Sequence, residues 1–255
     1  MAKRASLLLA AVCLICVITG VAQSADNPFT GKWKMNPAKS RLTDQMKVEA
    51  AGPNKYNMIF SGDNVETVVA DGTDQPGLYG STLAVSVDAP DSWKVVRKNN
   101  GKVTIIGLWK VSPDGKTLTD NFTGFRADGT TSNLHYIYQR TAGTWESVET
   151  DVNSKYEIEI QRFEGDGLSF INASAQMTQS LKFDGKDYAA SGKVPEGLAS
   201  SGRRISEHAV ERTDKIKGKT LYTQQIEVSP DGKTLTVTAH IPGQDKPNIQ
   251  VFDRE

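Results

Sequence analysis

The 255-residue chain has only two cysteines, Cys13 and Cys16, and both lie in an apolar N-terminal run. The body of the protein is therefore thiol-free, and a disulfide framework is excluded. Histidine is scarce too. His135, His208 and His240 have no cysteine near them and no partner two or four residues away, the spacing by which a metal site normally shows itself. No metal and no cofactor are expected. No serine sits in a Gly-x-Ser-x-Gly elbow, so no hydrolase signature is present. Net charge is also lacking, with 30 basic side chains against 30 acidic ones, or 28 against 30 once Lys3 and Arg4 are set aside. The richest basic cluster, Arg203-Arg204, is too small for a nucleic-acid or anionic-membrane surface.

One long apolar run exists, over residues 7–21. Lys3 and Arg4 precede it, and the small-residue stretch Val21-Ala22-Gln23-Ser24-Ala25 follows before Asp26 turns the chain polar. That order predicts a cleavable secretory signal over residues 1–25, cut after Ser24 or Ala25. A run of about 15 residues is short for a membrane helix, which needs roughly 20. The expected product is exported, periplasmic or secreted, with no membrane span after cleavage. A membrane-spanning β-barrel is disfavoured by short strands and by aromatic residues too few to form girdles.

What the sequence does have is repetition. Gly31-Lys32-Trp33 returns as Gly143-Thr144-Trp145, 112 residues later. The octapeptide Ser-Pro-Asp-Gly-Lys-Thr-Leu-Thr stands at 112–119 and, unchanged, at 229–236. Each segment closes on an aromatic, a polar residue and an arginine: Tyr138-Gln139-Arg140, then Phe252-Asp253-Arg254. A period above 100 residues suits a domain rather than a solenoid unit. Two units are expected, residues 26–141 and 142–255, joined very tightly near Gly143.

Each unit reads as β. Turn signals such as Asn100-Gly101, Asp128-Gly129 and Lys217-Gly218 punctuate runs of period-two alternation. Leu235, Val237, Ala239 and Ile241 alternate with Thr234, Thr236, Thr238 and His240, giving one apolar and one polar face. Ser-Pro-Asp-Gly predicts a type I turn closed by a left-handed glycine with a bulge. No segment keeps a 3.6-residue period. The expectation is all-β: a tandem duplication of a small antiparallel up-and-down β-barrel, since closure removes exposed sheet edges.

Gly-x-Trp on a first strand with an arginine on the last resembles the lipocalin and calycin-like barrels. The resemblance implies that the tryptophan plugs one end and the arginine stacks across it, pairing Trp33 with Arg140 and Trp145 with Arg254. The stretch Phe29-Thr30-Gly31-Lys32-Trp33-Lys34-Met35-Asn36-Pro37-Ala38-Lys39-Ser40 also resembles the opening of exported bacterial proteins of uncharacterised function that begin near Gly-Thr-Trp-Lys-Leu-Asn-x-Ala-Lys-Ser. Neither unit has room for the lipocalin helix, and the Thr-Asp-Tyr element is missing. The pocket tryptophans of avidin-like barrels are missing too, so biotin is not supported.

Three residues are candidates for a ligand site. Asp120 shares a strand face with Leu118 and Phe122, and an inward, unpaired carboxylate there costs several kcal/mol. A bulge or strand end that turns it to water is the expected outcome; a polar anchor for a ligand is the alternative. Tyr136 and Tyr138 lie on one face with Arg140 and either fill a core or form a polar-tipped aromatic wall. If one barrel binds a ligand, the first is expected to. The leading expectation is an exported binding or carrier module for a small apolar or amphipathic molecule. The alternatives are a structural or protein-interaction module with filled barrels and, third, a barrel-based enzyme, for which convergent ionisable groups are not evident.

Overall fold

A computed structural model describes residues 27–60, 64–153 and 156–255, the side chains of residues 149–153 apart. The expected export segment, residues 1–25, lies outside them. The protein is all-β and forms two nearly closed antiparallel barrels. The first strand is β1 (Gly31–Met35). Then come β2 (Gln45–Gly52), β3 (Lys55–Ile59), β4 (Val65–Val69), β5 (Gln75–Pro76) and β6 (Thr82–Ala89). The meander continues through β7 (Ser92–Asn99), β8 (Lys102–Val111), β9 (Thr117–Phe125), β10 (Thr131–Thr141) and β11 (Thr144–Asn153). The later half holds β12 (Glu157–Phe163), β13 (Gly167–Asn172), β14 (Met177–Leu181), β15 (Tyr188–Ala189) and β16 (Ser191–Gly192). It ends with β17 (Leu198–Arg204), β18 (Ala209–Ile216), β19 (Lys219–Val228), β20 (Thr234–His240) and β21 (Asn248–Arg254).

The barrels do not part at residue 141. Barrel one is built from β2 to β11, in the order β4-β3-β2-β11-β10-β9-β8-β7-β6-β5. Barrel two takes β12 to β21 and inserts β1 between β12 and β21. The first strand of each sequence repeat thus sits in the other repeat's barrel. The cause is the joint. Ala142 (φ 47°) and Gly143 (φ 87°) are both left-handed and form a two-residue hairpin turn, so β11 must fold back on β10 in the same sheet. Barrel two is then one strand short, and the N-terminal strand supplies it. The closure pairs expected from sequence are exchanged accordingly: Trp33 lies opposite Arg254, and Trp145 opposite Arg140.

The two closures differ in strength. The Arg254 guanidinium lies 4.1 Å from the centroid of Trp33, which is fully buried and donates its indole N–H to the Phe29 carbonyl. Arg254 also donates to the carbonyls of Thr30 (2.7 Å), Pro28 (2.6 Å) and Gly232 (2.5 Å). Gly31 (φ 137°) has no side chain because a Cβ there would fall 2.7 Å from Arg254 Nη1. Arg140 lies 5.4 Å from the Trp145 ring centroid; both arginines are exposed, so the difference lies in the ring distance and in the three carbonyls that Arg254 holds. The repeated octapeptide explains itself at these ends. Ser112 and Ser229 each cap the same turn, with Gly115 and Gly232 left-handed, and Arg140 and Arg254 each donate their backbone N–H to the lysine carbonyl that follows.

Sheet edges are closed by short devices. In barrel one, Gly72 N donates to Val85 O, and the Gln75 amide bonds both the N–H and the carbonyl of Val69. In barrel two, Gly185 N donates to Gly202 O. Residues 36–44 carry the chain from β1 to β2 along β21: Arg41 pairs with Ile249, and Thr43 N donates to Asn248 Oδ1.

A fragment spanning residues 43–154 should fold alone by circular dichroism, whereas residues 142–255 should stay unfolded until a peptide of residues 27–44 is added. A cooperative melt of 142–255 by itself contradicts the exchange. Arg254→Ala should cost about 1–3 kcal/mol in urea unfolding and Arg140→Ala less than about 1 kcal/mol.

Candidate functional site

Barrel one is hollow. A cavity of about 420 Å³ occupies it, walled mostly by apolar and aromatic side chains, among them Met46, Phe60, Leu83, Val95 and Phe122. Barrel two keeps only about 50 Å³. Register explains the difference. Val95 faces Gly107 across β7 and β8, where barrel two has Arg212 facing Gln224. Leu83 and Arg97 pair where barrel two has Ser200 and Asp214. In barrel two, the Arg212 guanidinium lies 4.7 Å from the Phe170 ring centroid, and its Nε is 3.1 Å from Asp214 Oδ1. Its Nη2 donates to Gln224, while Ser200 donates to Asp214. Long polar side chains fill that interior and bond to one another, although Arg212 Nε and Gln179 Nε2 have no hydrogen-bond partner among the described residues. Gly107 leaves the corresponding space open, and it also admits the Asp120 carboxylate and the Trp109 indole, each 3.1 Å from where a Cβ would stand.

Asp120 is inside. It is 6 % exposed, lines the cavity, and its Oδ1 has no hydrogen-bond partner among the described residues. The expectation that a bulge or strand end turns it to water is corrected. The β8–β9 and β9–β10 ladders run through Asp120 without a register shift, so alternation keeps it on the inner face, opposite Trp109 and Tyr136. Tyr138 is 1 % exposed and lines the cavity, and its hydroxyl donates to Asp44 Oδ2 at 2.7 Å. Tyr136 stacks on Tyr138 at 5.7 Å and meets Phe122 edge-on at 6.4 Å. The three sequence candidates are therefore neighbours on β9 and β10.

Three further groups belong to this site. Asp44, at the end of the crossover, lines the cavity beside Tyr138. Glu66 and Arg97 form a bidentate pair (2.8 and 2.5 Å) with side-chain exposures of 1 % and 19 %. Glu66 also accepts from Leu78 N, and Arg97 donates to Ser81, so the pair pins residues 77–81 along the cavity wall. Pro195, from barrel two, completes the lining; Lys219 donates to Asn64, and Lys246 pairs with Glu146, also between the barrels.

Electrostatics set the chemistry. Burial pushes the Asp120 carboxyl up to about 7, opposed by Trp109 and raised further by the Asp44 charge. Burial likewise pushes Asp44 up to about 6, against the Tyr138 and Gln45 hydrogen bonds. Desolvation raises both tyrosines above their ordinary range. Near neutral pH the chamber thus holds a carboxyl close to half-protonated, with a free acceptor lobe and an apolar surround. A second concavity, about 560 Å³ at Arg126, Thr131, Glu157 and Ser174, is lined only by exposed or half-buried residues. Among the described residues no three His, Cys, Asp or Glu gather around a metal-sized position, and no helix is long and apolar enough to cross a membrane.

Because the folded Asp120 carboxyl is raised above its unfolded value, its contribution favours folding at low pH and is lost as pH rises through about 7. Asp120→Asn should therefore raise stability at pH 8 by on the order of 2–4 kcal/mol and have little effect near pH 4. Urea melts at the two pH values check this.

No protein-family model matches the chain, and no curated protein matches its sequence, so the site stands on its geometry alone.

Proposed function

We propose that the protein is a small-molecule-binding module, exported to the cell envelope, whose first barrel is the ligand chamber and whose second is structural. The observation that supports this reading is the cavity of about 420 Å³, within the range of small-molecule sites and dominated by apolar side chains with a few convergent polar groups. With barrel one as the only hollow barrel among the described residues, the expected stoichiometry is one to one. The nearly filled interior of barrel two supports a scaffolding role in this reading: it receives β1 and holds the crossover that ends at Asp44. The resemblance of the closures to lipocalin-like barrels agrees with a carrier.

A second reading, an acid–base enzyme, is favoured by Asp44 and Asp120, two carboxyls raised into the range useful for proton transfer and facing one cavity. A carrier returns its ligand unchanged; an enzyme converts it.

Native mass spectrometry of protein from its host's envelope fraction decides. The expected spectrum shows a chain beginning at Ala25 or Asp26 with a single adduct of small-molecule mass, released on unfolding. Val95→Phe, which places a ring in the cavity, should abolish the adduct and leave the circular dichroism spectrum unchanged. An adduct that survives this substitution, or two adducts per chain, contradicts the assignment of barrel one.

A further inference from the structure

The chamber's polar groups say what its ligand carries. Asp120 Oδ1 is buried, faces the cavity and is unpartnered, whereas every polar atom of Glu66 and Arg97 that meets the cavity wall is engaged within the pair or by Leu78 and Ser81. Asp44 uses Oδ2 for Tyr138 and Oδ1 for Gln45 N. Among the carboxylate oxygens of the described residues that line the cavity, Asp120 Oδ1 is the one left without a partner. Trp109, Phe122 and Tyr138 line the same cavity. A carboxylate set among aromatic rings in an apolar cavity favours a positive charge, through the ion pair and the ring quadrupoles together.

Resting on the reading of barrel one as a binding chamber, we infer that its ligand is an amphipathic cation, an amine on a compact apolar body, whose ammonium group pairs with Asp120 while the body fills the space left by Gly107 and Val95. Anionic amphiphiles are opposed by Asp44 and Asp120. A neutral alcohol can donate one hydrogen bond to Oδ1 but leaves the charge of a deprotonated Asp120 buried and uncompensated. Arg97, the only cation lining the cavity among the described residues, is already paired with Glu66, so it does not compete for Asp120. Binding is coupled to the proton on Asp120: the carboxyl is raised to about 7 when the chamber is empty, and the ammonium must displace that proton. Asp44, Tyr136 and Tyr138 face the same carboxyl, and of these only Asp44, raised to about 6, titrates below pH 8.

The test is calorimetric titration of the full mature chain with phenylbutylamine, phenylbutanol and phenylbutyrate, which share one apolar body. The amine should bind at least about tenfold tighter than the alcohol, and the acid weakest of the three. Amine affinity should rise with pH from 5.5 to 8 and level off above about 7. Asp120→Asn, nearly isosteric, should lower amine affinity by about tenfold or more and leave the alcohol unchanged. Equal binding of amine and alcohol, preference for the acid, or a flat pH profile for the amine overturns the cationic ligand while leaving a chamber. Failure of all three probes to bind, with xenon also excluded from barrel one, overturns the chamber itself.

Discussion

The two-residue turn at Ala142 and Gly143 constrains everything else in this molecule. A turn that short cannot carry the chain out of its sheet, so β11 completes barrel one and its tryptophan faces Arg140. Barrel two must then be closed from a distance, by a strand more than 100 residues earlier in the chain. The crossover that follows that strand runs along β21 and ends at Asp44, inside the other barrel. Closure of one barrel and furnishing of the other are thus consequences of a single connection. The heavier investment at Trp33 and Arg254, with three carbonyl acceptors and a buried indole, falls where a non-contiguous strand must be held.

Two barrels of similar strand order have opposite interiors because a few inward positions differ in volume and charge. Arg212, Gln224, Ser200 and Asp214 form a polar plug held together by hydrogen bonds and an ion pair. Val95, Gly107 and Leu83 at the same register positions leave an apolar void. Into that void projects Asp120, where barrel two has Val237. An unpartnered carboxyl in such a place opposes folding, and a ligand that neutralises it recovers that free energy on binding. The site is costly when empty and complete when filled.

Much of this was legible in the sequence. Alternation gave the strands, and Ser-Pro-Asp-Gly gave both turns with their left-handed glycines. The aromatic and arginine closures were visible as residues but not as pairs, because pairing depends on which sheet a strand enters. The clue was the shortness of the joint, which a separate-domain reading passed over. Asp120 was placed on the inner face by alternation but expected to escape to water, since the rarity of buried carboxylates outweighed the pattern. Glu66 shares a face with Val68 and was open to the same argument, as was mid-strand Gly107. Asp44 had no local signal: it lies outside any strand and reaches the chamber only through the crossover.

The most direct measurement is a carboxyl chemical-shift titration of the aspartate side chains by NMR. Asp120 should titrate near 7 and Asp44 near 6 in the ligand-free protein, apart from the surface aspartates. Both signals should move to the ordinary carboxylate range when Asp120 and Asp44 are exposed by unfolding. If every aspartate of the folded protein titrates in that ordinary range, the carboxyls are solvated and barrel one does not hold an apolar chamber.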